Sequence, residues 1–191
     1  MRSLRWSALA IPVAVALLGI ASSAQAQVPT FTRIKDAVPS KFFDPATTTP
    51  DPVNKNRLRI GFNSGLDLST FLFTDFRVSS LAFTNRTAHD TISFTVKAPA
   101  GYFIAKITYH QEGTGSTTRT AIAYGDATLL VDNLPIDLGS FTTTPTLSRT
   151  VDLAARHLRS VSVAVSDSLF ATTGSLAITA ADVVVELRPL T

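Results

Sequence analysis

Three histidines (His89, His110 and His157), two glutamates (Glu112 and Glu186) and twelve aspartates are the residues of this 191-residue chain suited to acid–base work or metal binding. Late transition metals need His or Cys ligands converging at close quarters. The chain has no cysteine and neither an H-E-x-x-H nor an H-x-H pattern. Thiolate zinc, iron–sulfur ligation, disulfides and a thiol nucleophile are therefore excluded, and no metal-ligating set is assigned. His110-Gln111-Glu112 ends a strand-like run, where alternation places His110 and Glu112 on one face. With His89 and Asp90, which precede another such run, they form the candidate ligand-binding set.

Other motifs dissolve on inspection. Gly61-Phe62-Asn63-Ser64-Gly65 approaches the G-x-S-x-G elbow but places Ser64 one position late and lacks the helix that should follow. A turn between strands accounts for Asn63, Ser64 and Gly65. Gly113-Thr114-Gly115-Ser116 has no phosphate-loop lysine and reads as a hairpin tip. Glycosidase chemistry requires two carboxyl groups at a set separation. Any two of the twelve aspartates could meet in the fold, so their presence alone assigns no catalytic residue. Asp132, Asn133 and Asp137 offer oxygen to Ca²⁺, the one cofactor the composition leaves open, but their spacing departs from the D-x-[DN]-x-[DN]-G loop.

The elements that must position these residues are strands. Ile92, Phe94 and Val96 alternate with polar residues across Thr91–Lys97, the pattern of a strand with one face buried. Phe103, Ala105, Ile107 and Tyr109 share a face after the turn at Pro99-Ala100-Gly101. Leu58, Ile60 and Phe62 repeat the pattern, as do Val161, Val163 and Val165. Further strands are expected over Phe71–Phe83, Thr120–Tyr124, Ala127–Asp132 and Ser148–Leu153. In the last strand Leu176, Ile178 and Ala180 have one parity while Val183, Val185 and Leu187 have the other, which predicts a β-bulge near Ala180-Ala181-Asp182. Asp152–Leu158 could make a short helix capped by Asp152. Strands do not alternate with long amphipathic segments, so a βαβ architecture is not expected. The expected fold is all-β, a single antiparallel β-sandwich, jelly-roll or immunoglobulin-like, with most of the twelve phenylalanines between its sheets.

Upstream of the strands the character changes twice. Arg2 and Arg5, an apolar run from Ala8 to Ala21 and the Ala24-Gln25-Ala26 cleavage pattern form a secretory signal peptide over 1–26. The apolar run falls short of the ~20 residues that cross a bilayer, and Pro12 and Gly19 interrupt it. Residues 27–56 hold half of the ten prolines and read as an extended lead segment, with Ala46–Pro52 exposed and the sandwich occupying 57–191. Pairing of that lead with a neighbouring sheet edge is a conceivable mode of self-assembly, against which the prolines count. Removal of the leader takes away two of the 17 basic residues, so that 15 face 14 acidic ones, a formal charge of +1. Such a surface has little long-range pull on nucleic acid or anionic lipid. The only tryptophan, Trp6, leaves with the leader. Sugar recognition would then rest on hydrogen bonds or bridging calcium rather than on a tryptophan platform.

Ala98-Pro99-Ala100-Gly101-Tyr102-Phe103-Ile104, continuing to Ile107-Thr108-Tyr109, is similar to segments of secreted bacterial β-sandwich proteins of unassigned function. So is the stretch from Val161-Ser162-Val163 through Ser168-Leu169-Phe170-Ala171 to the closing strand. Many members of that group carry a carboxy-terminal PEP-type sorting tail. This chain ends in Leu187-Arg188-Pro189-Leu190-Thr191, without that motif, so the resemblance implies export and a sandwich but not membrane sorting. The expected function is that of a secreted or periplasmic non-catalytic protein with a binding, surface or structural role toward a carbohydrate or protein ligand. The alternative is a secreted hydrolase acting on polysaccharide through Asp and Glu carboxylates assembled by the fold.

Overall fold

The computed structural model describes residues 27–36, 42–63, 76–80, 86–116, 123–132, 134–141, 147–171 and 174–190. The leader expected over 1–26 lies outside these residues, as do Ser64, Gly65, Asn133 and the flanks of the strand expected over Phe71–Phe83. The strands are β1 (Thr30–Asp36), β2 (Phe43–Pro50), β3 (Arg57–Phe62), β4 (Phe76–Ser80), β5 (Arg86–Lys97) and β6 (Tyr102–Ser116). They continue as β7 (Ala123–Val131), β8 (Leu134–Phe141), β9 (Leu147–Asp152), β10 (Ser160–Ala171) and β11 (Gly174–Pro189). One antiparallel sheet has the order β1-β5-β10-β7-β8. The other has the order β2-β3-β11-β6-β9, with β4 beside the first half of β11. The protein is an antiparallel β-sandwich.

Alternation explains the core. Ile92, Phe94 and Val96 on β5 and Val161, Val163 and Val165 on β10 are buried, and they meet Leu58 and Ile60 of β3 and Ile107, Val183 and Val185 of β6 and β11. Of the phenylalanines, Phe43 and Phe94 are enclosed, while Phe31, Phe42 and Phe62 pack around the margin of the core. The β5–β6 connection is a type II turn. Tyr102 N donates to Pro99 O at 3.2 Å, and Gly101 supplies the positive φ of 79° that the turn requires.

Two bulges set which side chains face inward. On β11 the register passes from Ile178↔Gly113 to Ala180↔Glu112, leaving Thr179 as the extra residue. Inward pointing accordingly moves from Ile178 to Ala181, Val183 and Val185. The parity change was expected near Ala180–Asp182, and the structure absorbs it just before, with Ala180 exposed. A second bulge on β6 carries the register from Glu186↔Lys106 to Leu187↔Ile104, leaving Ala105 unpaired in the ladder. The common face expected for Phe103 through Tyr109 is therefore broken. Ile104 joins the core, and Phe103 is buried against the His157 ring, with centroids 4.7 Å apart. His157 follows a single-turn 3₁₀ helix, Ala154–Arg156, the remnant of the short helix expected there. Asp152 Oδ1 accepts from Ala154 N at 2.8 Å.

Residues 27–56, read from the sequence as an extended lead lying partly across a sandwich that begins at residue 57, instead form part of the two sheets. That segment supplies β1 to one sheet and β2 to the other. Both are edge strands with irregular register, the places where proline is tolerated. In β2 the register jumps from Asp44↔Gly61 to Thr49↔Arg59, and the intervening loop buckles over β3. Ala46 and Thr47 are exposed as expected, but Thr48 and Asp51 are buried. Thr48 Oγ1 donates to Asp44 O at 2.7 Å and accepts from Gly61 N at 2.9 Å. This buckle needs a glycine beneath it. A Cβ on Gly61 would overlap the Thr47 hydroxyl and come within 2.7 Å of the Thr47 carbonyl carbon. Gly61→Ala is expected to lower stability by about 2 kcal/mol, read as a lower urea midpoint with an unchanged m-value.

Candidate functional site

The polar residues fall into two sets, one enclosed between the sheets and one on the outer face of the sheet centred on β11. In the enclosed set, Asp90 of β5 and Asp167 of β10 are register partners whose side chains both point inward. Asp90 Oδ2 accepts from Phe43 N at 2.7 Å and so ties β5 to β2 of the opposite sheet, and Oδ1 accepts from Thr91 N at 2.6 Å. Facing Asp167 from β6 are Tyr109 and Gln111, both fully buried. Tyr109 Oη lies 2.6 Å from Gln111 Oε1 and 3.1 Å from Asp167 Oδ2.

That geometry is a statement about protons. A phenol has one proton to give, and Tyr109 Oη is the donor toward both the Gln111 carbonyl and Asp167 Oδ2, so the two acceptors compete for it. Burial raises the Asp167 carboxyl to about 7; the Tyr109 hydrogen bond works against this shift, and the charge of Asp90 opposite reinforces it. Tyr109 is itself held far above the usual phenol range, by burial first and then by Asp167. Asp167 Oδ1 and Gln111 Nε2 are buried without a hydrogen bond among the described residues, a further cost of enclosing the group.

The outer set is built differently. Asp51 Oδ1 accepts from Val53 N and Asn54 N at 2.8 and 2.9 Å, and its Oδ2 accepts from Arg59 Nε at 2.7 Å. These backbone bonds, followed by Arg59, hold Asp51 down at about 2, although it lies just beneath the surface. They fix the turn joining β2 to β3, which is closed by Asp51 N→Arg57 O and Arg57 N→Asn54 O, both 2.9 Å. Val185 N donates to Asn56 O at 2.9 Å and pins the same turn to β11.

Beside this turn lies a hollow of about 560 Å³. Gln27, Asn54, Asn56, Tyr102, Lys106, Thr108, Val184, Val185, Glu186 and Leu187 line it. Lys106, Thr108, Val184 and Glu186 come from the outward parity of β6 and β11, and Lys106 is the register partner of Glu186. Lys106 Nζ lies 3.3 Å from Glu186 Oε2, and Arg188 Nε donates to Glu186 Oε1 at 3.0 Å. The Arg188 and Lys106 bonds, in that order, hold the Glu186 carboxyl below its usual range. Among the described residues no hydrogen bond engages the side-chain amides of Gln27 and Asn56 or the Tyr102 hydroxyl.

The four residues singled out from the sequence lie on three different surfaces. His89 is on the outer face of the first sheet, with Nδ1 2.7 Å from Ser168 Oγ. Asp90 is enclosed. His110 and Glu112 do share the outer face of the second sheet. His110 Nε2 is 3.9 Å from Glu112 Oε1, and its Nδ1 is 3.8 Å from Asp182 Oδ2. Burial raises the Asp182 carboxyl, opposed by Arg57 and His110 and assisted by Glu112. Of the residues considered for calcium, Asp132 Oδ1 accepts from Ser162 N at 3.0 Å and Asp137 Oδ1 from Gly139 N at 2.7 Å, and Asn133 lies outside the described residues. Sequence reasoning missed Asn54, Asn56, Lys106 and Glu186. The outward parity of Lys106 was readable, but its meeting with Glu186 depends on long-range register.

The neutral form of Asp167 is the one the fold favours, so the ionisation penalty is absent below pH 3.8 and grows as pH rises to about 7. Across that window ionisation should remove about 4 kcal/mol of stability, since each pH unit contributes roughly 1.4 kcal/mol. Asp167→Asn, whose amide oxygen keeps an acceptor for Tyr109 without a charge, should match the parent at pH 4 and exceed it at pH 8 in denaturant titrations. Asp51→Ala should speed amide exchange at Val53, Asn54 and Arg57 while leaving β5 and β10 protected. Comparison of the chain with known protein-family models and with curated proteins finds no match.

Proposed function

We propose that this is an exported, non-catalytic binding protein of a bacterial periplasm or cell exterior, with its ligand face on the outside of the β11 sheet. The observation that carries the reading is the hollow between the Asp51–Arg57 turn and the β6–β11 ladder. Its size falls in the ordinary range for small-molecule sites, and its wall holds amide and hydroxyl groups with spare hydrogen-bonding capacity. The polysaccharide-hydrolase alternative needs two carboxyl groups that a substrate can reach. Asp90 and Asp167 do meet, but at 1% and 0% exposure their position favours a structural role.

Export supports the same reading. The Ala24-Gln25-Ala26 pattern places cleavage directly before Gln27, and Gln27 lines the hollow. The mature amino terminus then forms part of the ligand face. Expression of the full chain in a Gram-negative host should yield periplasmic protein whose amino-terminal sequence begins at Gln27. A ligand bound by that material should be recovered chemically unchanged. Cytoplasmic retention with Met1 intact, or turnover of the bound ligand, would contradict the proposal.

A further inference from the structure

We infer that the hollow takes a neutral oligosaccharide, an inference that rests on its being the ligand face. The argument begins with charge. Lys106 and Glu186 are paired at 3.3 Å within the wall, and Arg188 holds the other carboxylate oxygen of Glu186. An anionic ligand would have to approach that carboxylate, and a cationic one would have to approach Lys106 and Arg188. An uncharged ligand disturbs neither contact; Lys106, Arg188 and the α-amino group freed by cleavage before Gln27 outnumber the single carboxylate, which makes an anionic glycan the competing probe.

The hydrogen-bonding groups point to the same class. A sugar hydroxyl donates one bond and accepts up to two, so it is best met by groups that do both. The side-chain amides of Gln27 and Asn56 and the Tyr102 hydroxyl are of this kind, and Thr108 Oγ1 keeps the capacity left over from its 2.9 Å bond with Thr150 Oγ1. Asn54 Oδ1 accepts from Asn56 N at 3.2 Å, and among the described residues no hydrogen bond engages its NH₂. Paired Lys and Glu add a donor and an acceptor side by side, suited to adjacent hydroxyls on one ring.

A pyranose also has an apolar C–H face. Val184, Leu187 and the Tyr102 ring supply apolar surface beside the polar groups, so no tryptophan platform is required. An extended peptide would instead need a row of unpaired backbone groups, as an edge strand offers. Here β11 is flanked by β6 on one side and by β3 and β4 on the other, so its backbone is already committed.

The test uses ¹⁵N-labelled protein recovered from the periplasm after expression of the full chain. It is titrated separately with cellohexaose, xylohexaose, maltohexaose and mannohexaose, with hexagalacturonate, and with an uncharged Ser/Gly/Val hexapeptide. At least one neutral glycan should shift the amide resonances of Asn56, Lys106, Thr108, Val184 and Glu186. Asn56→Ala and Tyr102→Ala should each weaken that binding about tenfold, and His89→Ala, on the far sheet, should not change it. A response at these residues to hexagalacturonate or to the peptide, with none to the neutral glycans, overturns the sugar assignment and leaves the ligand face standing. No response at these residues to any probe overturns both.

Discussion

The pairing of β6 with β11 is the constraint on which the rest of the molecule depends. It runs from Ser175↔Ser116 to Pro189↔Tyr102 through the centre of one sheet. Side chains alternate with period two, so one residue of slip would send Ile107, Tyr109, Val183 and Val185 to solvent and bring Lys106, His110, Asp182 and Glu186 into the core. The bulges at Thr179 and Ala105 let two strands of imperfect pattern keep their apolar sides inward along their whole length. The same register places Lys106 opposite Glu186 and His110 opposite Asp182. Core and outer face are thus two consequences of one alignment.

The two polar sets show how environment divides one residue type into different roles. Asp167, Asp51 and Asp182 carry the same carboxyl group. Asp51 receives two backbone N–H groups and a guanidinium and stays ionised to about pH 2. Asp167 faces a phenol, an amide and a second carboxylate, with no cation among the described residues to offset them, and is raised to about 7. Asp182 is raised by burial, which Arg57 and His110 partly answer. The first organises a turn beside the open hollow, and the second links the two sheets at the centre of the protein through Tyr109. Asp51 is settled chiefly by its own turn, through Asn54 N and Val53 N, whereas the partners that decide Asp167 come from other strands.

The edge strands carry a second lesson about proline. Five prolines in residues 27–56 argue against a central strand, and the structure agrees by placing β1 and β2 at sheet edges. Proline content does not distinguish an edge strand from an extended segment laid across the domain, however. The buckle between Asp44 and Thr49 shows why β2 stays attached. Thr48, Asp44 and the Gly61 amide satisfy one another's hydrogen bonds, so the irregular stretch remains paired to β3 without a regular ladder.

What the amino-acid order determined by itself was local: alternation in β3, β5 and β10, the glycine turn at Pro99–Gly101, and a parity break in β11 that required a bulge. Each is a property of a few neighbouring residues, set by backbone geometry and the burial of alternate side chains. Tertiary structure decided which strands became neighbours, and hence that Asp90 would face Asp167 and that Lys106 would meet Glu186. It also separated His89, Asp90 and the His110–Glu112 pair onto three surfaces and brought the Asp51–Arg57 turn against β11. Those outcomes depend on contacts between distant segments, whose free energy comes from closing the sandwich as a whole rather than from any short stretch of chain.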